Sequence, residues 1–496
     1  MINKLPKIFH LFSNKEYWPL FLIVALGAFL RFYNLRDGMP YLGDEGRDVL
    51  IAKGIITGQH FPLVGPPTSI GNLYLGPLYF YLMAPFLGVF GFDPLGPAVF
   101  VALTSIATIV LIYILTKEMF KNQLAGNLSA LLYAVSPLTV EFGRWPWNPN
   151  VMPFFATLFI FSLWRVFEKK QEAWILLTGI SLALILQSHY LGLAAILVLA
   201  SSLIIKRPTI KYIEYWVAGL IFFLVLMSPL FIFDLRHDFL NIRGFWQIVS
   251  ERRSGGFSII DIVSRSRDRL RQIFGDFTSL GERSLANNLL LGLSLVIWIV
   301  LAKPKRQWWL VGVWLIGGAV FMGLYQGPFY GHYLEFLIPA CAIFLGGMLA
   351  TLSRLHLIGK GLAMVTTLIL VIFFIFQSQK IVLRKLVPNV QTTKELVHFI
   401  ADNSTGEPFN FSLLAKNNYD TAYRYFFDLW NLPAEYNSVT KQLFVICEGE
   451  AVCQPQGNPK WEIAIFDAAY NGNIEIVGEW QFHNYFRLFQ FKPKQG

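Results

Sequence analysis

The chain has 496 residues, of which 55% are hydrophobic, 16% aromatic and only 15% charged. So small a charged share excludes an ordinary soluble globular protein and points to a chain whose solvent is largely lipid. Forty-one Lys and Arg against 31 Asp and Glu leave a formal net charge of +10. With no basic run interleaved with aromatics, that excess reads as cytoplasmic loop charge and not as a nucleic-acid surface.

In chain order, Lys4, Lys7 and Lys15 precede an apolar run over 17–35 that ends near Arg31. The run is long enough to cross a bilayer and has no small-residue cleavage site, so it reads as an uncleaved first span with a cytoplasmic N-terminus. Further apolar runs lie at 77–91, 96–116, 124–141, 150–167, 173–189, 191–205, 213–233, 286–302, 307–325, 331–352 and 359–377. The run at 77–91 is short and punctuated by Pro77, Pro85 and glycines, which suits a re-entrant or interfacial helix buried against protein. With that run left out of the crossings, every short basic loop falls on the cytoplasmic side, as loop-charge asymmetry requires. These are Lys117 with Lys121; Lys169 with Lys170; Lys206, Arg207 and Lys211; Lys303, Lys305 and Arg306; and Arg354 with Lys360. About eleven spans remain.

The reading is thus an α-helical polytopic protein of the plasma membrane with a transmembrane domain over 1–378. Outward loops cover 36–95 and 234–285, and a small α+β extracytoplasmic domain covers 379–496. In that tail, Thr393–Asn403 and Tyr419–Leu432 read as helices. Gln442–Cys447, Trp461–Phe466, Ile474–Phe482 and Phe486–Phe491 read as strands. Cys447 and Cys453 flank Glu448-Gly449-Glu450; they pair in an oxidising compartment and are otherwise two free thiols. Cys341 sits in an apolar run and reads as inert core.

The chemistry-bearing stretch is Gly43-Asp44-Glu45-Gly46-Arg47-Asp48, just after the first span. It opens an amphipathic helix with Asp44 at the N-cap and Gly58 at the end. Asp44, Arg47 and Asp48 then share one face at i, i+3 and i+4. An N-cap followed by a solvated turn is the plain structural account of these residues. Against it stand other polar, aromatic helix ends on the same outward side: Glu141, then Arg144 within Gly143-Arg144-Trp145-Pro146-Trp147, His189-Tyr190, and His332-Tyr333 after Tyr330. Each alone reads as a helix end or an interfacial aromatic belt; together they can line a site.

In their order these features resemble the C-type (GT-C) membrane glycosyltransferases, in particular relatives of protein O-mannosyltransferases and lipid A aminoarabinose transferases. Asp44-Glu45 is similar to the family's acidic pair and Gly76-Pro77-Leu78-Tyr79-Phe80-Tyr81 to its Pro-Leu-Tyr-Tyr stretch. The basic loop at 116–122 stands for its short cytoplasmic turn, His189-Tyr190 for its His-Tyr, and His332-Tyr333-Leu334 where many members have Arg-Tyr-Leu. The likeness runs over about 15–350.

The resemblance implies a polyprenyl-phosphate sugar as donor, an inverting transfer to a hydroxyl of a protein, lipid or glycan acceptor, and Asp44 with Glu45 as the catalytic acids. Arg47, Asp48, Glu141, Arg144, His189, Tyr190, His332 and Tyr333 become candidates for binding substrate, with cations meeting the charge that grows on the leaving phosphate. No cofactor is required; a divalent metal could supply that charge but nothing indicates one. Gly76 replaces a Lys or His of some relatives and His332 replaces the Arg, so phosphate binding is expected to be distributed differently. Two competing readings are open. An oligosaccharyltransferase catalytic subunit calls for a Trp-Trp-Asp signature, and the tail offers only Lys460-Trp461-Glu462. A transporter or flippase for lipid-linked sugars calls for charges along the spans and for internal repeats, whereas the polar residues here gather at one end of the spans.

Overall fold

The computed structural model describes residues 15–68, 73–205, 212–251, 258–301, 305–355, 357–449 and 453–494. Lys4, Lys7, Lys206, Arg207, Lys211, Lys303 and Glu450 lie outside the described residues. The chain divides into two compact units: Met1–Leu35, Phe61–Phe86 and Pro97–Leu383 form the first, and Arg36–His60, Leu87–Gly96 and Arg384–Gly496 the second.

The first unit is helical. Among the described residues five helices are long and apolar enough to cross a membrane: Leu95–Phe120, Asn148–Lys169, Ile213–Arg236, Gly331–Leu352 and Leu357–Leu383. Shorter apolar helices include Glu172–Ser188, Tyr190–Ile204 and Leu285–Val300. The helix Leu78–Val89 carries Pro85 inside its 12 residues; at 1.5 Å per residue it is about 18 Å long, short of a hydrocarbon core of roughly 30 Å. Burial sorts the long helices. Gly331–Leu352 is buried along most of its length, while Ile213–Arg236 and Leu357–Leu383 are mostly unburied and leave Leu220, Val225, Ile369 and Ile372 exposed. Apolar side chains left outside a packed bundle are what contact with lipid tails permits.

Small residues let these helices touch backbone to backbone, the usual packing device in lipid. A Cβ on Gly346 would lie 2.4 Å from the Ser129 nitrogen, and one on Gly179 would lie 2.1 Å from the Gly219 carbonyl oxygen. The run at 307–325 folds as Arg306–Gly312 and Gly318–Gly323 joined by a π turn at Val313–Gly317. There the Trp314 indole N–H donates to the Phe336 carbonyl at 2.9 Å. Arg31, fully buried near the end of the helix Trp18–Phe32, is surrounded by oxygens. It donates to Ser105 Oγ at 2.8 Å and to the carbonyls of Ala134 at 2.9 Å and Gly27 at 3.1 Å. A charge inside a bundle needs such a shell.

The second unit is α+β. Its sheet has the order β1-β2-β4-β3, where β1 is Asn410–Leu414, β2 Leu443–Glu448, β3 Ile474–Phe482 and β4 Phe486–Pro493. β1 and β2 are parallel, joined through the helix Thr421–Leu429; β4 runs antiparallel to both β2 and β3. Leu443, Val445, Ile463, Phe466, Phe489 and Phe491 form the core on one face. Cys447 and Cys453 are disulfide-bonded, with Cα atoms 6.2 Å apart, and Cys341 is buried in the first unit.

Two elements differ from the sequence reading. Trp461–Phe466, expected as a strand, begins the helix Trp461–Ala469. Its six residues alternate, but the two that bury are Ile463 and Phe466, a spacing of three, and Asp467-Ala468-Ala469 extends the helical pattern. β1 was not expected at all, being five residues long.

Candidate active site

The charged hexapeptide lies on the helix Gly43–Ile56, which belongs to the second unit. Asp44 is not its N-cap. Leu42 occupies that position, and Glu45 reaches back so that its Oε2 accepts the Leu42 N–H at 2.8 Å, satisfying one orphan donor of the first turn. Glu45 is buried, so the geometry gives it a capping task and leaves Asp44 the accessible acid.

Arg47 ties the face together. Its Nη1 donates to Asp44 Oδ1 at 2.7 Å, while Nη2 and Nε donate to Asp48 Oδ1 at 2.7 and 2.9 Å. Asp48 is 1% exposed, and its Oδ2 finds no hydrogen-bond partner among the described residues. Burial pushes the Asp48 carboxyl up to about 7, against the pull of Arg47. Asp44, by contrast, has a side chain 41% exposed, with Oδ1 anchored.

Tyr419, from the tail, donates its phenol O–H to Asp44 Oδ1, and Arg47 Nη1 reaches the Tyr419 oxygen at 3.2 Å. The glycines of the hexapeptide make this approach possible. A Cβ on Gly43 would sit 2.6 Å from the Tyr419 ring, and one on Gly46 would sit 2.3 Å from the backbone nitrogen of Ala422. Lys53, further along the helix, pairs with Asp428 at 2.6 Å. Sequence reasoning missed Tyr419, because nothing marks one tyrosine among 20 as the partner of a residue 375 positions away.

A second cluster lies in the membrane unit. His189, which accepts the Leu191 N–H at 3.1 Å through Nδ1, lies 4.4 Å from the Tyr333 ring and 5.7 Å from that of His332. His332 packs edge-on to Trp147 at 4.5 Å, and Trp147 stacks on Trp145. Phe329 lies 5.2 Å from Tyr333 and takes the Arg269 guanidinium over its face at 3.4 Å. Arg265, one turn earlier on the helix Ile259–Thr278, donates to the Gly323 carbonyl at 2.7 Å. Tyr190 donates to the Tyr74 carbonyl beside this array. Arg269 was not singled out in the sequence; it was one of many Arg in the loop 234–285. A cation over a ring whose neighbour touches two imidazoles suits a bound anion.

The remaining candidates fall elsewhere. Glu141 lies half-buried on the short helix Pro137–Phe142. Arg144, expected to bind substrate, is 1% exposed, and its guanidinium donates to the carbonyls of Leu30, Arg31, Tyr33 and Asn34. It closes the end of the helix Trp18–Phe32, because the last carbonyls of any helix lack intrahelical partners. Gly76, where some relatives carry a cation, packs so tightly that a Cβ would lie 2.2 Å from the Gln187 side chain.

The family model described as dolichyl-phosphate-mannose-protein mannosyltransferase matches residues 75–233. Dolichyl-phosphate-mannose–protein mannosyltransferase 1 of Candida albicans is 26% identical over 197 residues, which is 36% of this chain and 22% of that protein. The crystal structure of ArnT from Cupriavidus metallidurans bound to undecaprenyl phosphate matches with a TM-score of 0.65 over 96% of this chain and 98% of that one, at 14% identity. Residues 75–233 are thus similar to this mannosyltransferase family, and the chain shares the fold of the ArnT structure. The archaeal oligosaccharyltransferase AglB from Archaeoglobus fulgidus matches this chain with a TM-score of 0.54 over 88% and 70% of the two chains, also at 14% identity. The aligned part of this chain spans about a fifth of the Candida relative's length. The stretch matched by the family model holds Glu141, Arg144, His189 and Tyr190; the helix bearing Asp44 lies outside it.

Proposed function

We propose that this protein is a GT-C glycosyltransferase that moves a sugar from a polyprenyl-phosphate donor to an acceptor hydroxyl, with inversion, on the extracytoplasmic side of the cell membrane. The observation that carries this reading is the half-exposed Asp44 carboxylate, one oxygen of which is anchored by Arg47 and Tyr419. An acid held in that way can present its other oxygen to a hydroxyl. The acceptor oxygen attacks the anomeric carbon and forms the new C–O bond. The bond to the lipid phosphate breaks on the opposite face, and the hydroxyl proton passes to Asp44. The lipid phosphate leaves with one more negative charge. Within the first unit Arg269, Tyr333 and His332, with Phe329 packed under the guanidinium, are our candidates for binding a polyprenyl phosphate through charge-assisted hydrogen bonds.

Purified protein in lipid nanodiscs, given polyprenyl-phosphate mannose, glucose and aminoarabinose with mixed acceptors, tests the reading through release of polyprenyl phosphate. Asp44→Asn should lower that release by about 10²–10⁴-fold. Transfer at the wild-type rate by Asp44→Asn would remove the carboxylate from the mechanism. Movement of intact donor across the bilayer without release would favour a transporter. Arg269→Ala should weaken binding of polyprenyl phosphate; unchanged binding would dismiss the array.

A further inference from the structure

We propose that Tyr419 is a positioning residue for Asp44, so that the C-terminal domain completes the acid site. The inference rests on Asp44 being the base.

The loop Asn418-Tyr419-Asp420-Thr421 grips the first turn of the helix Gly43–Ile56 from several sides. Asn418 Oδ1 accepts the Gly43 N–H at 2.8 Å, and the Thr421 hydroxyl donates to the Gly43 carbonyl. The Tyr419 ring lies where a side chain on residue 43 would be, and its O–H donates to Asp44 Oδ1. Arg47 Nη1 meets both the Asp44 oxygen and the phenol oxygen, at 2.7 and 3.2 Å. One carboxylate oxygen therefore has two donors aimed at it, and rotation about the side chain would break both bonds.

The grip is itself anchored in the sheet. Asn418 Nδ2 donates to Glu448 Oε2 at 2.8 Å, and the Tyr423 hydroxyl donates to Glu448 Oε1 at 2.7 Å. Glu448 is the last residue of β2, is 5% exposed and follows the disulfide-bonded Cys447. A rigid strand end thus holds the amide that holds the turn, and the phenol on the same loop orients the acid. Preorganisation of this kind keeps a reacting group in productive geometry.

The experiment uses full-length protein and polyprenyl-phosphate mannose, with release of polyprenyl phosphate followed in time. Tyr419→Phe keeps the ring on Gly43 and removes only the O–H. It should lower kcat about tenfold, leave the donor KM within about twofold, and leave the thermal midpoint within about 2 °C. In a double-mutant cycle the Tyr419→Phe, Asp44→Asn protein should be no slower than Asp44→Asn alone, since the phenol acts through that carboxylate. A wild-type kcat in Tyr419→Phe, a collapsed thermal midpoint, or fully multiplicative losses in the cycle would each overturn the proposal. Should Asp44→Asn itself transfer normally, the assignment of the base fails first, and that outcome is read separately.

Discussion

Replacing Arg144 by Met distinguishes a guanidinium that closes a helix from one that grips a phosphate. Its four carbonyl partners lie at 3.1, 3.1, 2.7 and 2.9 Å. At about 1 kcal/mol net for each bond, their loss sums to about 4 kcal/mol. At about 2 °C per kcal/mol, the midpoint of thermal unfolding should fall by roughly 8 °C. The measurement is a scan in detergent at one fixed rate, since large membrane proteins unfold irreversibly, alongside the donor KM of the surviving folded fraction. Arg144→Met should lose the midpoint and keep the KM. An unchanged midpoint with a donor KM raised tenfold would refute the capping argument and return Arg144 to the substrate.

Gly46→Ala places a methyl 2.3 Å from the Ala422 backbone nitrogen, which cannot swing aside. Overpacking of about 1–3 kcal/mol should lower the unfolding midpoint, while Gly292→Ala, with open space around its Cβ, should not. The Asp48 carboxyl titrates near 7 in the folded protein, above its ordinary value of 3.8. The folded state therefore holds this proton more tightly than the unfolded chain, so the contribution is fully present below pH 3.8 and fades as the pH rises to 7. Midpoints should decline across that window in wild type and flatten in Asp48→Asn; a parallel decline in the variant would exclude Asp48 as the source. Chelation with EDTA should leave transfer within about twofold, because the proposed chemistry uses side-chain cations to meet the phosphate charge; a loss reversed by Mg²⁺ or Mn²⁺ would show a metal in that role.

Much of this was legible in the residues because it is periodic or local. The apolar runs mark the membrane helices, and the i, i+3, i+4 spacing of Asp44, Arg47 and Asp48 marks the shared face that Arg47 ties together. Three strands of the tail could be read from short runs of β-branched and aromatic residues between turn residues. What escaped depends on contacts distant in sequence or on groups every residue carries. Arg144 binds four carbonyls, and a carbonyl leaves no trace in residue identity. Tyr419 finds Asp44 only through the packing of the helix Thr421–Leu429 on Gly46. Trp461–Phe466 alternates as a strand would, and only the buried pair Ile463 and Phe466 reveals the helix. Glu45 looked like half of a reactive pair, yet a first-turn glutamate that reaches back to cap its own helix is an ordinary device.

The contact between Asp44 and Tyr419 joins residues 375 positions apart. During synthesis the acid leaves the ribosome early, and at ~5–20 residues per second the phenol follows about 20–75 s later. Until then the acid has neither its anchor nor the loop that grips its turn. A chain truncated before the tail would carry every apolar run and still lack the phenol that anchors Asp44.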